Sequence, residues 1–187
     1  MMISRERALE LLREHVKNGN MVKHCLASEA VMRALARKFG EDEERWGLAG
    51  LLHDIDVEIT NADLAVHTRE AARILEGQGL DQEMISAIRL HNEEAHPGEL
   101  RHTRFQHALA AGETVTGLII ATALVYPDKK IASVKPSSVV KRMKEKAFAR
   151  TVNREIIMEC EKFGMDLQSF VELSVEAMKE IAPELGL

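Results

Sequence analysis

Aromatic side chains make up only 4% of the 187 residues, and runs of β-branched residues are short, whereas Ala, Leu, Glu, Lys and Met abound. That scarcity removes the usual material of a strand core, and the summed propensities favour helix almost everywhere. Cysteine is nearly absent too: Cys25 and Cys160 are the only two, without CxxC spacing. They are too few for a disulfide framework, and two reduced, packed thiols in a reducing compartment are expected. An excess of basic residues is also missing, the formal charge being −5. This argues against a nucleic acid polymer or an anionic membrane as partner. The longest apolar stretch, Thr114 to Tyr126, has 13 residues, against the roughly 20 of a membrane-spanning helix. No apolar run of signal-peptide type follows the charged start Met-Met-Ile-Ser-Arg-Glu-Arg, and a cytoplasmic protein is expected. Nor is there a repeat, a low-complexity tract or a long linker. Residues 1–187 therefore read as one all-α domain, long enough to bury about 70% of the surface its unfolded chain exposes.

The helices follow from apolar spacing and punctuation. Residues 4–17 place Ala8, Leu9, Leu11, Leu12 and Val16 on one side. Asn18-Gly19-Asn20 breaks the pattern, and Asn20 is expected to cap a helix over 21–38 that carries His24 one turn in. Gly40 ends it, and the acidic turn Glu41 to Glu44 opens an apolar segment running to His53. Thr60 and Asp63 have capping-box-like spacing and predict a helix from about 61 or 66 to 76 that bears His67. Asp81 is placed to cap a helix over 82–92 that ends in His91, and Pro97-Gly98 marks a turn. From about Thr103 to Tyr126 the chain is apolar nearly all round, which predicts the central helix. After a loop at 129–135, Pro136 suits the first turn of a basic helix to about Lys146. Helices over 152–163 and 166–181 close the chain, the last capped by Asp166.

The chemistry concentrates on Gly-Leu-Ala-Gly-Leu-Leu-His-Asp-Ile-Asp, residues 47–56, where an apolar helix ends in His53 and Asp54. An imidazole beside a carboxylate can share one divalent cation, and the second carboxylate oxygen can reach another. With His24, His67, His91 and Glu113, the chain offers four imidazoles and two carboxylates. Mixed nitrogen and oxygen donors without thiolate suit Mn, Fe, Co, Ni or Zn. The expected site lies between central helices of a metal-binding core over about 15–126, with helices over 136–187 following it.

His24, the run Leu51-Leu52-His53-Asp54-Ile55 and a later acidic residue resemble the HD superfamily of metal-dependent phosphohydrolases, named for that His-Asp pair. Met21-Val22-Lys23-His24-Cys25, His53-Asp54-Ile55-Asp56, Ala110-Ala111-Gly112-Glu113 and Thr116-Gly117-Leu118-Ile119 resemble its small stand-alone HDIG-type members. The resemblance spans about residues 15–163 and implies a helical HD bundle. It makes His24, His53 and Asp54 ligands of a first metal, with Asp54 the bridge to a second. His67 and His91 match the extra histidines of the two-metal branches, while a mononuclear site of His24, His53, Asp54 and Glu113 is the alternative. Glu113 stands where the superfamily usually has Asp. The related cyclic-dinucleotide phosphodiesterases carry Gly and Lys after His-Asp-Ile, where this chain has Asp56 and Val57, which argues against that substrate.

The activity so implied is hydrolysis of a phosphomonoester or phosphodiester of a nucleotide or similar small molecule, with one or two divalent transition metal ions activating water. Asp54 and Asp56 are the candidate catalytic residues. Asp56, and beside it Glu58, would orient water or a ligand imidazole. Lys141 and Lys144, three residues apart in a basic segment like that of HDIG-type proteins, are the candidate phosphate contacts. Arg104, His107, His96 and His102 are further polar residues, for which surface or packing roles are favoured. Two alternatives share the donors: a di-iron oxygenase of HD type and a nucleotide-binding regulatory module without turnover. The sequence does not fix the oligomeric state.

Overall fold

Seven helix starts are set by side chains that accept backbone amide protons: Ser4, Asn18, Asp42, Asp81, Thr103, Asn153 and Asp166. Each satisfies donors that the first helical turn leaves unpaired. The computed structural model describes residues 2–187, and among them all regular structure is helical. The α-helices are α1 Arg5–His15, α2 Gly19–Phe39, α3 Glu43–Leu52, α4 Arg69–Glu76, α5 Gln82–Leu90 and α6 Arg104–Leu124. They are followed by α7 Pro136–Arg142, α8 Arg154–Ile157, α9 Leu167–Glu180 and α10 Ala182–Leu185. Short 3-10 helices lie at Glu93–Ala95, Ile131–Ser133 and Met158–Phe163. The architecture is the expected all-α bundle.

Helix α6 is its axle. It packs against α2, α3, α5, α7, α8 and α9, and 72% of its most apolar window is buried by them. It is long and apolar enough to cross a bilayer by composition alone, but here that apolar surface makes the core. One apolar core joins Ala8 and Leu12 of α1 to Leu185 of α10 and includes both thiols, Cys25 and Cys160, buried and unpaired. Trp46 of α3 stacks on Phe105 of α6 at 5.0 Å between ring centroids.

Helices α2 and α3 meet more closely than side chains allow. A Cβ on Gly50 would lie 2.6 Å from the Ser28 carbonyl oxygen and 2.9 Å from the Glu29 backbone nitrogen. These neighbours are backbone and cannot rotate away. Gly50→Ala is therefore expected to force the helices apart and destabilise the fold by roughly 3 kcal/mol, read as a lower urea midpoint. An unchanged midpoint would mean that α3 slides freely over α2.

Four local expectations are corrected. Asn18 rather than Asn20 caps α2: its side chain accepts from the backbone amides of Asn20 and Met21 at 2.9 and 3.3 Å. The helix drawn from about 61 or 66 begins only at Arg69, so His67 precedes it. Residues 53–68 instead form turns, with Asn61 at φ 51° and Ala62 at φ 54°, left-handed conformations that stop a right-handed helix. Thr60 does not cap; its hydroxyl donates to the Asp56 carbonyl at 2.9 Å. The basic helix ends at Arg142, short of Lys146. Beyond it the 148–152 turn is held by the Arg154 guanidinium, which donates to the carbonyls of Ala149 and Val152, both at 2.6 Å, and to that of Phe148.

Candidate metal centre

The ends of two helices build half the site by the same device. His53 follows the last residue of α3, and its ring Nδ1 lies 2.8 Å from the Gly50 carbonyl, three residues upstream. His91 follows α5, with Nδ1 2.7 Å from the Ile88 carbonyl, again three residues upstream. The last carbonyls of a helix have no amide partner in the chain, so each is free to accept the imidazole N–H.

The other two imidazoles are fixed from outside their own helices. His24 of α2 has Nδ1 3.1 Å from the Thr116 hydroxyl on α6. That hydroxyl donates its proton to the Glu113 carbonyl at 2.7 Å, so its oxygen accepts from His24. His67 donates from Nδ1 to Asp56 Oδ1 at 2.7 Å. All four rings thus use Nδ1 as donor and turn Nε2, the atom available to a metal, inward.

Those Nε2 atoms converge on one carboxylate. Asp54 Oδ2 lies 3.6 Å from His24 Nε2 and 3.5 Å from His53 Nε2. Its other oxygen, Oδ1, lies 3.0 Å from His67 Nε2 and 3.4 Å from His91 Nε2. Within each pair the Nε2 atoms are 3.1 Å apart for His24 and His53, and 3.3 Å apart for His67 and His91. Between His24 and His53, both neutral, two lone pairs at that separation repel, and a cation between them removes the repulsion. Glu113 of α6 closes the first group, with Oε2 3.7 Å from His24 Nε2 and Oε1 accepting the Thr114 hydroxyl. The structure brings together all six expected donors: the ligand atoms of His24, His53 and Glu113, and those of His53, Asp54 and His91, lie within 4.8 Å of one another and could hold a metal ion, with His67 Nε2 beside the second group at 3.0 Å from Asp54 Oδ1.

The electrostatics match that reading at His24 and His53. Burial pushes His53 down to about 3 and lowers His24, so both stay neutral ligands. Burial alone would raise Asp54, but His53, His67, His91 and His24 hold its carboxyl well below the usual range. His67 is pulled down by burial, yet its hydrogen bonds to Asp54 and Asp56 outweigh this and push it up to about 10, so without a metal its Nε2 holds a proton toward Asp54, which a bound cation would displace. Burial, opposed by the Thr114 hydrogen bond and reinforced by the Asp54 charge, pushes Glu113 up to about 8. A carboxylate so placed lacks a cationic partner of its own, which is what a bound metal provides.

A cavity of about 440 Å³ opens onto the donors, its outer walls formed by Leu64, Asn92, Glu94, Thr114, Gly117, Thr151, Val152, Asn153 and Ile156. Several sequence candidates lie away from it. Asp56 is fully buried and turned from the cavity; besides His67 it accepts the amides of Thr68 and Ala71 at 2.8 and 2.9 Å. Of its two expected tasks it orients an imidazole and does not face water. Glu58 accepts the amides of Lys17 and Asn18 at 2.8 and 2.7 Å and so fastens the turn between α1 and α2. Lys141 and Lys144 are exposed and line no part of this cavity, because α7 stops at Arg142 and Lys144 falls in the turn beyond it. Arg104 lies over the Phe39 ring, His107 pairs with Glu159 at 2.6 Å, His96 meets the Thr68 hydroxyl at 2.9 Å, and His102 is exposed.

Other residues that serve the site carried no sequence signal beyond being polar. Asn92 donates to the carbonyls of Leu64 and His67 at 2.8 and 3.1 Å and pins the 64–67 turn over the centre. Arg101 donates to the Leu90 carbonyl at 2.6 Å and grips Glu159 bidentately, which secures the end of α5 beside His91. Thr116 could have been found from its spacing, three residues after Glu113 on one helix face.

In comparison with known families, the model described as HD domain matches residues 21–124, more than half of the chain and all six donors. No curated protein and no solved structure matches the chain.

Proposed function

The chain belongs to the HD-domain family, and from that premise we propose that it is a metal-dependent phosphohydrolase of the small HDIG type. Its substrate is a phosphomonoester or phosphodiester of a nucleotide or similar small molecule. One observation carries the reading: the two oxygens of Asp54 each face a separate pair of imidazole Nε2 atoms. Bound divalent cations supply Lewis acidity there, lowering the pKa of water and neutralising phosphoryl oxygens. The protein's own part is positioning. Gly50, Ile88, Thr116 and Asp56 fix the four rings before anything binds, so little reorganisation accompanies reaction. Leu64 and the 151–156 segment line the cavity in which a substrate would lie against the donors.

Purified protein loaded in turn with Mn, Fe, Co, Ni and Zn is expected to hydrolyse members of a panel of nucleotides, sugar phosphates and cyclic nucleotides, and to stop on chelation. Inertness across the panel with metal bound would overturn the proposal. Two bound irons with a mixed-valent spin signal would instead favour the oxygenase, and stoichiometric nucleotide binding without consumption the regulatory module.

A further inference from the structure

We infer that Glu94 limits this centre to substrates carrying a single phosphoryl group on an uncharged moiety, and that it turns away di- and triphosphates. The inference rests on the phosphohydrolase reading and deepens it. Among the described residues, no lysine or arginine lines the cavity. Two divalent cations against Asp54 and Glu113 leave a net charge of +2, which a phosphomonoester dianion balances. Nothing then remains for a second phosphate.

The rest of the cavity is neutral or negative. Leu64, Val152 and Ile156 offer apolar walls, and Thr151 and Asn153 offer an uncharged hydroxyl and amide, a lining suited to a nucleoside or sugar. Glu94 stands at the mouth, exposed and with no hydrogen bond or ion pair to any described residue. It also borders a second cleft of about 280 Å³, shared with Glu93, Glu155, Glu159 and Arg101. The single guanidinium there is already engaged by Glu159 at 2.7 and 2.9 Å and approached by Glu93 at 3.5 Å. A β-phosphate reaching outward from the metals would enter a region with four carboxylates and one committed arginine. Like charges at such range weaken binding, the more so in a partly enclosed cleft.

The test compares matched mono- and diphosphate esters of a nucleoside and of a sugar on the metal-loaded protein and its Glu94→Gln and Glu94→Lys variants. Initial rates are paired with calorimetric binding of non-hydrolysable phosphonate and methylenediphosphonate counterparts. The wild type is expected to favour the monophosphate by roughly tenfold or more. Glu94→Gln should narrow the ratio, and Glu94→Lys should abolish or reverse it. A structural role for Glu94 would not move this ratio in the order of side-chain charge. Equal handling of both esters by the wild type, or an unchanged ratio in Glu94→Lys, would overturn the inference while leaving hydrolysis intact. If no ester is consumed and no phosphonate binds, the phosphohydrolase reading itself fails and this inference falls with it.

Discussion

Asp54→Asn is expected to lower kcat/KM by on the order of 10³-fold or more and to leave less than one tightly held metal per chain. The side chain keeps its shape, so the loss comes from charge and from donor type. Among the described residues, Asp54 is the only anion whose two oxygens face both imidazole pairs. An amide nitrogen in place of either oxygen brings two N–H donors toward a pair of Nε2 atoms and hydrogen-bonds the lone pairs that a metal needs. The variant should remain folded, because Asp54 caps no helix and the core around Leu51, Leu52 and Ile55 is untouched. Chelation supplies the control. A ligand that binds only the native state raises the melting temperature, so stripping metal should lower it in the wild type and barely change it in Asp54→Asn. A variant that keeps two metals and wild-type turnover would sink the bridging role.

How much of this was legible in the sequence depends on whether the signal is local. His53 and Asp54 are adjacent and end an apolar helix, so their shared direction could be read directly. The anchoring of His53 and His91 by carbonyls three residues upstream also follows once each is placed at a helix end. His67 could be identified but not positioned. The spacing around it is helical, yet the chain reverses through positive φ at Asn61, Ala62 and Thr68, and the helix waits until Arg69. What overrides propensity is tertiary: Asp56 caps α4 from outside the helix, and the Thr68 hydroxyl, donating to the Arg89 carbonyl at 2.9 Å, holds φ at 84°. The basic segment failed for a related reason. Charge along a chain says how many cations there are but not where they point: Lys141, in the last turn of α7, and Lys144, in the turn after Arg142, are both exposed to solvent. Asn92, Glu94 and Asn153 lie in or beside irregular segments, where no periodicity reports a direction.

Asp56 provides the sharpest test of whether His67 is a ligand. In the wild type its Oδ1 accepts the His67 Nδ1 proton at 2.7 Å, while Oδ2 accepts the amides of Thr68 and Ala71 at 2.8 and 2.9 Å. The site is fully buried, so no water can substitute. Asp56→Asn can serve both backbone amides with its one oxygen, but its amide nitrogen must then face His67. That nitrogen only donates, so Nδ1 has to accept and the ring proton moves to Nε2. The His67 atom 3.0 Å from Asp54 Oδ1 would then keep its hydrogen even in the neutral ring and could not bind a cation. The expected result is a 10- to 100-fold loss of affinity at the site shared with His91, on the order of that seen when a ligand's supporting carboxylate is removed. The site at His24, His53 and Glu113 should stay filled. Metal content should fall from two toward one per chain, and nitrogen NMR of the imidazoles should report the tautomer change. Stability should also drop, by roughly 2 kcal/mol for the lost charged hydrogen bonds, measured by urea unfolding of metal-free protein so that metal loss does not contribute. Asp56→Asn protein with two metals, the original tautomer and full activity would remove His67 from the ligand set and show that the second cation is held without it.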